Sequence, residues 1–151
     1  MSDVTLIVLC AGNSTRFKHK AKKQWLRIEN EPLWLNVTKR LSGFTQFEKI
    51  IVTAHKNEIG YMQNFDDDYT YVTGGETRQE SMANSLKEVT TKYVMVTDVA
   101  RACVPKSVID NLLNEKGVDD CIVPVLDVSR ATMCSAKVPI AGWFNKACNI
   151  L

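Results

Sequence analysis

The feature that most constrains this chain is its first apolar run. Val4–Cys10 is of strand length and continuous in apolar character. A half-buried strand alternates apolar and polar residues, whereas this one does not, so it reads as a strand covered on both faces. Strands of that kind belong to parallel sheets, and parallel neighbours require crossover helices. The rest of the chain supplies them. Pro32 fits the first turn of a helix running to about Leu41, with Leu33, Val37 and Leu41 on one face and Gly43 as its stop. Lys49–Thr53 reads as a second strand, Asn57–Phe65 as a short helix and Tyr69–Thr73 as a third strand. Thr77 and Glu80 have the spacing of a capping box, opening a helix to about Val89 that buries Met82, Leu86 and Val89. Tyr93–Thr97 is a fourth strand, Pro105–Lys116 a helix closed by Gly117, and Cys121–Pro124 a fifth strand. Trp25–Ile28 carries no clear period. The alternation predicts an α/β fold, a doubly wound and mostly parallel sheet with helices on both faces.

Composition admits this fold and excludes several functions. A chain of 151 residues, 45% hydrophobic and 24% charged, can form one globular domain with a real core. A net charge of +2 is too small to argue for nucleic acid or an anionic membrane. No run approaches the length of a membrane span, and Met1–Thr5 lacks the basic start of a signal peptide. The five cysteines are odd in number and show no C-x-x-C spacing, which predicts buried reduced thiols in a cytoplasmic protein.

Ligands in such sheets sit beyond the carboxyl ends of the strands. The segments after Cys10, Thr73 and Thr97 are therefore expected to share one crevice. The first is a glycine-bearing basic loop, Ala11–Lys23. Gly12, Asn13 and Ser14 form its turn, and Arg16, Lys18, Lys20, Lys22 and Lys23 crowd its length. Small residues let backbone N–H groups approach an anion, Arg16 offers a planar fork for phosphate oxygens, and Lys23 offers a movable point charge. Neither Gly-Lys-Ser/Thr nor G-x-G-x-x-G is present, so this is no Walker loop and no dinucleotide fingerprint. The second segment, Gly74–Ser81, places a glycine pair before a capped helix, with Ser81 one turn in. The third holds Asp98 just past a buried strand. A lone carboxylate there suits Mg²⁺, which takes one or two carboxylates plus substrate phosphates. Each segment alone also reads as ordinary structure: a solvated loop, a strand–helix joint, a helix cap or an ion pair with Arg101. Their conjunction describes a site for a nucleotide and Mg²⁺.

With those residues in view, the chain resembles the 2-C-methyl-D-erythritol 4-phosphate cytidylyltransferases, and most of all the first domain of the bifunctional form that continues into a 2,4-cyclodiphosphate synthase. The motifs are Leu9-Cys10-Ala11-Gly12-Asn13-Ser14-Thr15-Arg16-Phe17, the Lys23-Gln24 pair, Gly74-Gly75-Glu76-Thr77-Arg78-Gln79-Glu80-Ser81 and Asp98-Val99-Ala100-Arg101, spread in order over about 4–129. The resemblance implies a Rossmann-like, GT-A-like nucleotidyltransferase fold. It also implies transfer of CMP from CTP to 2-C-methyl-D-erythritol 4-phosphate, with release of pyrophosphate, in non-mevalonate isoprenoid precursor synthesis. By resemblance, Arg16 and Lys23 stabilise the charge on the α-phosphate. Ala11, Gly12, Asn13, Gly74, Gly75, Glu76 and Ser81 seat the nucleotide, and Arg78 orders the glycine turn. Asp98 helps to hold Mg²⁺, and Arg101 lies near the phosphorylated acceptor. The alternatives are a ribitol-phosphate type of cytidylyltransferase and a CTP-binding fragment without activity.

Two departures qualify the match. The residue before Lys23, often Pro in the family, is Lys22 here. After Pro124-Val125-Leu126-Asp127-Val128-Ser129 the family pattern fades. The sequence therefore predicts a nucleotide-binding domain over 1–129, incomplete at its C-terminal side, and a divergent tail over 130–151 such as a shifted reading frame would give. On this reading the tail packs poorly, and the arm by which the homodimeric family pairs is missing.

Overall fold

The computed structural model describes residues 3–13, 21–66 and 68–124, and the backbone of 148–150. Its elements in chain order begin with strand β1 (Val4–Leu9). A single 3-10 turn (Lys23–Trp25) follows, then a small antiparallel hairpin of β2 (Arg27–Ile28) and β3 (Glu31–Pro32). Helix α1 (Leu33–Phe44), strand β4 (Lys49–Ala54), helix α2 (Lys56–Gln63) and strand β5 (Thr70–Thr73) come next. The described chain continues through helix α3 (Arg78–Leu86), strand β6 (Tyr93–Asp98) and helix α4 (Lys106–Asn114), with strand β7 at Cys148–Ile150. The main sheet has the order β5-β4-β1-β6-β7, and every neighbouring pair in it is parallel.

The apolar run has the predicted double burial. Every residue of β1 is buried, and alternate side chains serve opposite faces, as the period of two requires. Val4, Leu6, Val8 and Cys10 join a large cluster with Trp34, Leu35, Val37 and Leu41 of α1, Met62 of α2, and Ile109 and Leu112 of α4. Ile7 and Leu9 point the other way, into a smaller cluster with Met82 of α3, Val89, Val94 and Val96. Three helices thus cover one face and α3 covers the other. The chain steps outward from β1 to β4 to β5, and α3 then carries it back across β1 to β6. That reversal places a switch point at the carboxyl ends of β1 and β6, where open α/β sheets bind ligands.

Several boundaries differ from the sequence reading. Pro32 and Pro105 stand as extended N-caps just before their helices rather than inside the first turn. Gly43 does not stop α1. The helix runs on through Phe44, whose ring packs against the large cluster and lies under the Arg40 guanidinium, and an extended Thr45 ends it. Helix α3 ends at Leu86, yet Val89 is still buried beyond it. Cys121–Pro124 is not a strand. Val123 is 52% exposed there, and the sheet position beside β6 belongs to β7. Of the cysteines, Cys10 is buried as expected, but Cys103 is exposed and Cys121 only half-buried. Apart from the β7 backbone, the expected poor packing of 130–151 lies outside the described residues. That backbone forms a strand where the sequence showed no period. No helix among the described residues is long and apolar enough to cross a membrane.

Candidate active site

Beyond the strand ends lies an open cavity of about 820 Å³. Its lining comes from the segments expected to converge: Ala11, Gly12 and Asn13 after β1, Thr73–Arg78 with Glu80 and Ser81 after β5, and Asp98 at the end of β6. The end of β4 adds His55 and Lys56, which the sequence reading passed over. The signal was available, since the carboxyl-end rule applies to β4 as much as to its neighbours.

The sheet register explains the convergence. Leu9 is paired with Thr53 on one side and Asp98 on the other, so the exits of β1, β4 and β6 are level. The Cys10 N–H donates to Thr53 O at 2.7 Å and the Val99 N–H donates to Leu9 O at 3.3 Å, which extends the ladder into the loops. The exit of β5 is drawn in by Gly74, whose N–H donates to Ala54 O at 2.9 Å. A Cβ at Gly74 would stand 2.2 Å from Ala11 Cβ and 3.0 Å from Ser81 Oγ. Only a residue without a side chain allows the first and second segments to meet.

Helix α3 opens as its sequence predicts. The Glu80 N–H donates to Thr77 Oγ1 at 3.1 Å, and the Glu80 carboxylate receives the Thr77 N–H, completing the box. The same carboxylate receives the Glu76 N–H at 2.8 Å. Ser81 Oγ accepts from the Gly75 N–H at 3.1 Å and donates to Thr77 O at 2.9 Å. The glycine pair therefore offers no free N–H groups here. It is a closed turn held by Glu80 and Ser81, with Gly75 needed because a Cβ would fall 2.3 Å from Glu80 Cβ. The resemblance gave that ordering role to Arg78. Arg78 instead reaches across the cavity mouth, its Nε donating to Asp98 Oδ1 at 3.1 Å. Of the ordinary-structure alternatives for this segment, the ion pair of Asp98 with Arg101 is not formed, and Asp98 pairs with Arg78 instead. The Arg101 N–H closes a turn on Asp98 O at 3.0 Å, and Arg101 is not part of the cavity lining.

Lys23 also lies off the lining, in the 3-10 turn, next to Gln24, whose amide donates to Gly12 O at 3.4 Å. Arg16 lies outside the described residues. The structure thus gathers Ala11, Gly12, Asn13, Gly74, Gly75, Glu76, Arg78, Ser81 and Asp98, and leaves Lys23 and Arg101 at a remove.

Among the described residues no group of three or more His, Cys, Asp or Glu side chains is arranged to hold a metal ion. A dehydrated structural cation does not fit such a donor set. A hard divalent cation held chiefly by water and substrate phosphates does, because Asp98 offers the one carboxylate that mode needs and its side chain is 37% exposed. Beneath the site, burial pushes the Cys10 thiol far above its usual range, and the charges of Glu58 and Asp98 push the same way. Cys10 is therefore a protonated packing residue.

A crevice at the switch point of an open parallel sheet, with Glu76, Glu80 and Asp98 in its lining, defines an α/β protein of the class that binds ligands at its strand ends. Comparison with known proteins narrows the class. The family model of IspD, 2-C-methyl-D-erythritol 4-phosphate cytidylyltransferase, matches residues 4–142, and the chain belongs to that family. The match continues past residue 129, where the sequence reading began the divergent tail.

The chain is 73% identical over 129 residues to the bifunctional enzyme IspD/IspF of Aliarcobacter butzleri, covering 85% of this chain and 34% of that protein. It is 49% identical over 140 residues to the bifunctional enzyme IspD/IspF of Sulfurovum, covering 93% of this chain and 37% of that protein. Among solved structures, the bifunctional IspDF from Campylobacter jejuni superposes with a TM-score of 0.81 at 47% identity, over 87% of this chain and 35% of that one. The chain spans about a third of the length of these relatives.

Proposed function

We propose that this chain provides the nucleotide site of a cytidylyltransferase acting on 2-C-methyl-D-erythritol 4-phosphate in non-mevalonate isoprenoid precursor synthesis. A phosphate oxygen of the acceptor attacks the α-phosphorus of CTP, a new P–O–P bond forms, and the bond to pyrophosphate breaks. The observation that carries this reading is the meeting of the β1, β5 and β6 exits in one cavity, by residues that also carry the family motifs. Little covalent chemistry falls to the protein in such a transfer, and positioning with charge stabilisation does most of the work.

In this reading the closed Gly74–Ser81 turn and Ala11–Asn13 form a pre-set floor for the nucleotide. Ser81 Oγ keeps a lone pair beyond the one that holds the turn. Arg16 and Lys23 supply positive charge to the α-phosphate, and Arg101 faces the acceptor phosphate. Mg²⁺ is the cation, and when bound it neutralises phosphate charge beside Asp98. Asp98 would hold that cation, and Arg78, now paired with Asp98, would then be available to the phosphates. The dimeric state of the family and a cytoplasmic location belong to the same reading, as does a division of the chain into 1–129 and 130–151.

The test combines titration calorimetry with Mg²⁺–CTP and an assay of pyrophosphate release with the acceptor, on the chain as it stands. Binding together with release is the expected result. Binding without release would reduce the protein to a nucleotide-binding remnant, and neither would end the proposal. If release occurs, Lys23→Ala lowers kcat by about 10²-fold or more with little change in CTP affinity, as loss of a transition-state charge does. Asp98→Ala removes the dependence on Mg²⁺.

A further inference from the structure

The loop between β1 and the hairpin must be anchored at both ends to present its charges, and its second end is held by a residue that no motif singled out. Glu58, in the first turn of α2, has its side chain 15% exposed and serves three partners from one short segment. Lys22 Nζ lies 3.1 Å from Glu58 Oε1. Trp25 Nε1 donates to the same oxygen at 2.9 Å. Gln24 Nε2 donates to Glu58 Oε2 at 3.2 Å and also to Gly12 O at 3.4 Å.

Gln24 is only 1% exposed, so its amide must be satisfied inside the protein. Through it, one carboxylate ties the leaving end of the loop to the entering end at Gly12. The Trp25 ring adds packing, at 5.1 Å from Tyr61, 6.2 Å from Phe65 and 6.4 Å from Trp34 by ring centroids. Lys23 sits in the middle of this fastened run, between Lys22 and Gln24.

We propose that Glu58 is the positioning residue of the phosphate loop. It closes the loop on itself through Gln24 and Gly12 and pairs with Lys22, which fixes the chain on both sides of Lys23. The function of the anchor rests on the nucleotide reading above, while its existence does not.

The test compares Glu58→Gln and Glu58→Ala with the unaltered chain, after ¹⁵N labelling. Without ligand, the Trp25 indole N–H resonance is expected to move in Glu58→Ala, and the Gln24 side-chain amide resonances in both variants. In the transfer assay Glu58→Gln is expected to raise KM for CTP by about 10-fold, the worth of one hydrogen bond to a charged group, and to leave KM for the acceptor within about twofold. Simple loss of folded protein would lower kcat and leave both KM values alone. A melting curve on each variant separates that case. Unmoved resonances in Glu58→Ala would overturn the anchor. Moved resonances with an unchanged KM for CTP would overturn its role in the loop. If the unaltered chain binds no CTP, the nucleotide reading is what fails, and the resonances alone decide whether Glu58 holds the segment.

Discussion

Asp98 and Cys10 show how far a residue's chemistry depends on what lies opposite it. Asp98 was legible in the sequence as a carboxylate past a buried strand, yet its partner was not. Arg101, three residues away, was the natural local candidate, whereas Arg78 meets it across the cavity from another strand exit. Cys10 follows a strand and borders the basic loop, a position that in sequence suits a nucleophile. Its burial and the nearby Glu58 and Asp98 carboxylates disfavour the thiolate instead. Cys103, in the turn after β6, is exposed. Brief maleimide treatment of the native protein, followed by peptide mass mapping, should therefore modify Cys103 and spare Cys10. Modification of Cys10 should require denaturant. Equal labelling of the two before unfolding would contradict the packing beneath the site.

At the scale of elements, legibility followed range. The start of α3 was readable because a capping box is complete within four residues, Thr77 to Glu80, and both of its bonds form. Thr77→Ala removes the cap and should cost about 1 kcal/mol. For a domain of this size that lowers Tm by roughly 2–4 °C in a thermal melt. The same substitution should weaken nucleotide binding, since Glu80 holds both the helix start and the glycine turn. A variant that melts like the parent would show that the box contributes nothing. What failed in the sequence had causes at a distance. Gly43 was read as a stop because glycine ends helices, but the burial of Phe44 holds the last turn. The Cys121–Pro124 run has strand composition, but the place beside β6 is taken by β7, from a remote part of the chain. The contribution of Glu58 needed α2 to lie against the loop, which no spacing within either segment reveals.

For the molecule as a whole, β1 is the structural axis. It pairs with β4 and β6, and its side chains divide between both clusters. The fold class could be read almost entirely from that one run, because double burial leaves few architectures open. The site could be read in part: the strand-end rule found three of its walls, and the orientation of side chains within it awaited the structure. Leu6 is fully buried in the larger cluster. Leu6→Ala should cost about 2–5 kcal/mol, measured by urea denaturation with an unchanged m-value. A loss well below that would mean the cluster closes over the gap.

The contact at Gly74 has a consequence for how sequences of this kind can vary. Ala11 and Gly74 share a single volume, with no room for a second methyl group. A lineage that gives position 74 a side chain must reduce Ala11 to glycine or separate the two walls of its site. The pair is thus one inherited unit, though sixty-odd positions divide its members, and neither residue has a functional group to declare it.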